Sequence, residues 1–208
     1  MEKIQWPSSK KSTYLNEVNP SSGKKSTTDF EYTHSKVWLV QIPILVFLVY
    51  MTIRHVSDSY YQNILLYFLS MFIHEGGHIL FMLFGKTLWI LGGTIVQVLM
   101  PILWIIHFYR LSKYFSAVVC FGWLGDSLFG VGRYLGDARA GSLALLGAGM
   151  SDWRYLLGEW GILQYDTVIA SYIRIIAILC MLFSISFGIW IIWLEVAGRN
   201  HNKKIATD

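Results

Sequence analysis

Long uninterrupted apolar stretches dominate this chain between residues 37 and 197, and they decide what it can fold into. Only 14% of the 208 residues are charged, against about 25% in a soluble globular domain. A soluble core cannot absorb that much continuous apolar sequence, so the bilayer is the natural solvent. Five stretches are long enough to cross it: 37–53, 60–84, 88–108, 114–135 and 168–196. The expected fold is an all-α membrane bundle of about five transmembrane helices, or six, with a re-entrant or interfacial segment before the last span.

The ends differ in character. Residues 1–36 are polar, Lys-rich and carry a near-repeat, Pro7-Ser8-Ser9-Lys10-Lys11-Ser12-Thr13 and then Pro20-Ser21-Ser22-Gly23-Lys24-Lys25-Ser26-Thr27. This composition predicts a disordered basic tail. Residues 198–208 predict a polar C-terminal tail, leaving 37–197 as the transmembrane domain. Basic flanks on such a chain point to anionic lipid rather than nucleic acid. The side holding the N-terminal tail collects more Lys and Arg, which favours a cytosolic N-terminus. Cys120 and Cys180 both lie in apolar stretches and read as small packing residues rather than a disulfide pair.

The second span carries His74-Glu75-Gly76-Gly77-His78. Two histidines four residues apart project from one face of a helix and can hold one zinc ion. Glu75 is poorly placed to be a third ligand but can reach a water on the open side of the metal. Ionisable residues deep in a span cost ~2.5–3.5 kcal/mol each on insertion scales. Three within five residues call for a metal or a polar partner such as Gln97 or Asp126. Gly76 and Gly77 let a neighbouring backbone come close.

A third zinc ligand is expected from another span. The fourth supplies Asp126 and, just after it, Asp137, on one helical stripe with Gly122, Gly130 and Arg133. Depth favours Asp126. Asp137 also reads as an ion pair with Arg133, one turn earlier. Asp152 is a further candidate if the Gly-rich segment 136–167 folds back, with Trp153, Tyr155 and Trp160 expected at headgroup level. Gly92-Gly93 reads as a tight turn, and Gln97, one turn before Pro101, as able to bond freed backbone or a substrate strand. Gly92, Gly93 and Gln97 thus become candidates for positioning substrate. His34, His55, His107 and His201 sit in tails or at span ends and read as surface residues.

A His-Glu-x-x-His inside a transmembrane helix, then a glycine-containing segment, then an aspartate on a later span, resembles the site-2 protease family of intramembrane zinc metalloproteases. The resemblance covers roughly residues 64–137. It implies that His74, His78 and a later aspartate hold zinc while Glu75 activates water. The family's aspartate lies in Leu-Asp-Gly, usually after Asn-Pro, whereas this chain has Leu-Gly-Asp twice, at Asp126 and Asp137. The chain is closer still to small bacterial membrane proteins that look like distant relatives of those peptidases. The shared features are His-Glu-x-Gly-His, Gly92-Gly93 with Gln97, Tyr134-x-x-Asp137-Ala138-Arg139, and Asp152-Trp153-x-x-Leu156-Leu157-Gly158. That likeness implies Asp137 as third ligand, with Asp126 the alternative, and a bacterial cytoplasmic membrane.

The leading expectation is therefore a membrane-embedded zinc protease acting on membrane-anchored proteins. The alternative is a catalytically inactive scaffold or chaperone that retains the motif for structure. A di-iron hydroxylase needs about eight clustered histidines, and this chain has 6, mostly scattered. A transporter with a midplane ion site would show paired broken helices or an internal repeat of the spans, and neither is visible.

Overall fold

The computed structural model describes residues 37–58, 61–143 and 151–205, with side chains to 197. The expected tail at 1–36 lies outside the described residues. Among the described residues there is no strand, and five helices are long and apolar enough to cross a membrane. The chain is an all-α, multi-pass membrane bundle. Helix α1 spans Trp38–Ser57. Helix α2 spans Ile64–Phe81 and tightens into a 3-10 turn at Met82–Phe84. Helix α3 spans Lys86–Arg110 and α4 spans Tyr114–Gly136. The short α5 spans Asp152–Glu159, a 3-10 turn follows at Leu163–Tyr165, and α6 spans Asp166–Ile205.

Local chemistry sets these limits. Asn63 caps α2, its side-chain oxygen accepting from the Leu66 amide at 3.2 Å and so satisfying one of the free first-turn N–H groups. Gly85, at φ +91°, breaks the chain between the end of α2 and the start of α3, a conformation L side chains resist. Pro101 sits buried within α3, which runs unbroken through it. Gly92-Gly93, expected as a turn, lie inside that same helix. Two glycines in water would weaken a helix, but here close packing against α2 offsets the loss. The backbone of α6 stays helical through Ile205, beyond the expected start of a polar tail at 198.

Helix α4 forms the axis, with 61% of its apolar window buried against 11% for α2. Its small residues allow this: a Cβ on Gly125 would stand 2.5 Å from Met181 Cγ on α6. Helix α2 lies at the rim, and Leu65, Phe72, Ile79 and Leu83 are 70–87% exposed. Such large apolar side chains facing outward are at home only in lipid. Cys120 and Cys180 are free thiols, one buried and one half-buried.

The segment before the last span is a docked amphipathic helix. Trp153, Leu156 and Leu157 of α5 are buried with Val131, Leu135 and Ala170 in one cluster, against Ile90 and Leu91 of α3. Trp153, expected at headgroup level, is thus a core residue, while Trp160 is 44% exposed. The burial follows from the i, i+3, i+4 spacing of these apolar residues behind a Ser151 cap, whose hydroxyl accepts from the Arg154 amide at 3.1 Å.

An ionic clamp holds both ends of this segment. Asp166, 1% exposed, accepts from the Arg139 amide at 3.1 Å, from Arg139 Nε at 2.7 Å and from the Thr167 amide at 2.7 Å. Arg139 Nη2 adds a contact at 2.7 Å. Removing one partner of a buried pair costs ~3–5 kcal/mol, and the half-exposed arginine lowers this to roughly 2–3 kcal/mol. Asp166→Asn is expected to lower the thermal midpoint in detergent, whereas Arg139→Lys should lower it less. Equal midpoints for Asp166→Asn and the parent would show that the clamp carries no stability.

Candidate metal centre

Three helices converge on the motif. His74 and His78 lie on the face of α2 that meets α3. A Cβ on Gly77 would stand 2.3 Å from the Gly92 carbonyl oxygen, so the two backbones touch there. Gly93 faces the rings themselves: a Cβ would stand 2.7 Å from both His74 Nε2 and His78 Nε2. Gly76, by contrast, has nothing within 4 Å of where its Cβ would be. The packing role expected of the glycine pair therefore belongs to Gly77. Of the pair expected to position substrate, Gly92 packs on Gly77 and Phe81 of α2 and Gly93 faces the imidazoles.

Each histidine is oriented by an acceptor on α3. His74 Nδ1 lies 3.1 Å from Gln97 Oε1, and His78 Nδ1 lies 2.9 Å from the Trp89 carbonyl oxygen. These oxygens accept only, so a neutral ring carries its proton on Nδ1 and presents the Nε2 lone pair. Gln97, expected to bond freed backbone or a substrate strand, is thus the orienting partner of His74.

The third member comes from α5. Asp152 Oδ2 lies 3.1 Å from His74 Nε2 and 3.3 Å from His78 Nε2. One donor atom from each of the three residues falls within 4.8 Å of the others. Ligands ~2.0–2.2 Å from a tetrahedral zinc stand roughly 3.3–3.6 Å apart, and the two contacts to Asp152 come near that spacing. Two lone pairs aimed at one carboxylate oxygen would repel it, and only protons or a metal cation between them reverse the sign. Burial alone would raise the Asp152 carboxyl; with both rings protonated, hydrogen bonds and positive charge from His74 and His78 outweigh burial and bring it down to about 2.

Glu75 is exposed and lines a cavity of about 670 Å³ that also takes in His74, His78, Asp152, Tyr134 and Thr94. Glu75 thus shares one cavity with the three converging residues.

The aspartates singled out on the fourth span sit elsewhere. Asp137 turns back into its own loop, where Oδ1 accepts from the Ser142 amide at 3.0 Å and from the Ser142 hydroxyl, and Oδ2 accepts from the Leu143 amide at 2.9 Å. Those bonds hold its carboxylate well below the usual range despite some burial. Its expected partner Arg133 instead donates to the Tyr61 carbonyl at 2.9 Å. Asp126 Oδ1 lies 2.8 Å from His55 Nε2, both groups nearly buried. The structure thus brings neither Asp137 nor Asp126 to the two histidines, and brings Asp152.

His55 was expected at the surface. It is 8% exposed, stacked on Phe129 with ring centroids 4.5 Å apart, and edge-on to Tyr61 at 5.0 Å. His107 packs edge-on against Trp104 at the end of α3. His34 and the side chain of His201 lie outside the described residues. One contributor went unseen in sequence, the Trp89 carbonyl, a backbone group without a signature; Tyr134, named there only within a shared motif, has a hydroxyl that accepts from the Asp152 amide at 3.1 Å.

Comparison with protein-family models, with curated proteins and with solved structures finds no match to this chain.

Proposed function

We propose that this chain is a zinc metalloprotease of the membrane, hydrolysing peptide bonds of membrane-anchored proteins, with His74, His78 and Asp152 as metal ligands and Glu75 as general base. The observation that carries this reading is the convergence of two Nε2 lone pairs and one carboxylate oxygen, each ring fixed from behind by an acceptor. Zinc held there would polarise the scissile carbonyl and acidify a water towards pKa ~7. Glu75 takes the proton of that water as it attacks and can pass it to the departing amine. The cavity that Glu75 lines offers about 670 Å³ for a substrate segment, and the lipid-facing rim position of α2 suits a substrate that is itself anchored in the bilayer. A bacterial cytoplasmic membrane, implied by the resemblance noted above, belongs to the same proposal.

Glu75→Gln separates this from the scaffold alternative. The variant is expected to keep its zinc and lose cleavage by at least about a hundredfold, the usual contribution of a positioned acid–base group. Cleavage of a co-expressed membrane-anchored reporter, alongside zinc content, checks it. Full retention of the cellular phenotype in Glu75→Gln would leave the scaffold reading standing.

A further inference from the structure

We propose that Tyr134 is a catalytic residue, donating a hydrogen bond from its hydroxyl to the oxyanion that forms when water adds to the scissile carbonyl; this rests on the hydrolase reading above. Tyr134 lies on α4 and lines the same cavity as His74, Glu75 and His78. Its ring stands edge-on to His74, with centroids 6.2 Å apart at 75°. Its oxygen accepts from the backbone amide of Asp152, the residue whose carboxylate faces both histidines. That bond does two things. It places the hydroxyl against Asp152, and it fills an acceptor position on the oxygen, so that the O–H is left as a donor, shared in the resting site with the Asp152 carboxylate.

The cavity is lined by the Glu75 and Asp152 carboxylates and by the Arg133 guanidinium, which donates to the Tyr61 carbonyl. As water adds to an amide carbon, the carbonyl π pair moves to oxygen and the water's proton goes to Glu75. Negative charge then grows on the oxygen in a cavity lined by two carboxylates. A neutral O–H on the cavity wall stabilises that charge without adding a counter-charge. When the C–N bond breaks, the pair returns to form the carbonyl and the proton on Glu75 leaves with the amine. Tyr134 gives up no proton in the cycle.

The test uses full-length protein in detergent, loaded with cobalt in place of zinc, and inorganic phosphate as a tetrahedral oxyanion. Phosphate binding is read from the visible absorption of the cobalt. The expected result is that Tyr134→Phe binds cobalt as tightly as the parent but phosphate about tenfold more weakly, the loss of one charge-assisted hydrogen bond. Equal phosphate affinity in the two proteins overturns the donor role and leaves the metal site intact. So does a parent spectrum that phosphate does not alter. Weaker cobalt binding in Tyr134→Phe, with phosphate affinity unchanged once loaded, overturns it in favour of a residue that only positions Asp152. A parent chain that takes up no cobalt overturns the hydrolase reading itself, which a change in phosphate affinity alone cannot do.

Discussion

Chains purified in detergent with zinc supplied are expected to carry close to one zinc each, and Asp152→Asn to reduce this to roughly a tenth or less. His74→Ala and His78→Ala should do the same. Loss of an orienting partner of a ligand typically costs 10–100-fold in affinity, and loss of a ligand costs more. Asp137→Asn and Asp126→Asn should leave the zinc in place. Asp137 spends its oxygens on the Ser142 and Leu143 amides, and Asp126 is held by His55. Gln97→Leu falls between these extremes, since His74 would keep its Nε2 lone pair but lose the acceptor that fixes its ring. Metal analysis of the purified variants checks the series. Zinc that survives Asp152→Asn but not Asp137→Asn would reverse the ligand assignment.

The second large effect needs no change of ligand. Gly93→Ala is expected to abolish zinc binding as completely as Asp152→Asn, because its methyl group would sit 2.7 Å from both Nε2 atoms, in the space a metal requires. Helix α3 has little freedom to retreat, since Gly77 and Gly92 are already in backbone contact on the same face. Overpacking of this kind costs ~1–3 kcal/mol, so the metal-free variant should also melt earlier. Gly77→Ala should be worse for stability, a Cβ 2.3 Å from a carbonyl oxygen forcing the helices apart. Gly76→Ala is the control. Nothing lies near its Cβ position, and alanine is the better helix former by up to ~1 kcal/mol. Thermal unfolding and zinc content measured together separate the three. A Gly93→Ala protein with full zinc would show that the imidazoles swing clear of the position described.

The spans were legible because lipid imposes length and composition on any helix that crosses it, and the described helices match the apolar stretches to within a few residues at most ends. The pair His74 and His78 was legible for a similar reason: helical periodicity alone places them on one face. The third member of the cluster was legible only as the least favoured of three candidate aspartates. Depth along α4 favoured Asp126 and family likeness favoured Asp137, but neither reports where a side chain turns. Asp137 follows the last turn of its helix and is captured by the amides of the next few residues. The signal for Asp152 was present in another form. Ser151 is a helix cap, and Trp153, Leu156 and Leu157 form an apolar face that must dock on something. Docking that face carries Asp152 to the histidines. Gly92-Gly93 misled because adjacent glycines in water mark turns, whereas between packed helices they mark contact.

Asp152 arrives 78 residues after His74, on the one helix of the set that does not cross the bilayer. A growing chain therefore inserts both imidazoles long before their acid partner exists. The centre can be completed only after α3 and α4 are in place and α5 has folded down upon them. Loading with metal would then be a late event in biogenesis, reporting that the whole of the bundle up to the last span has assembled correctly, and a chain cut short before Ser151 would have the signature pentapeptide without the means to retain an ion.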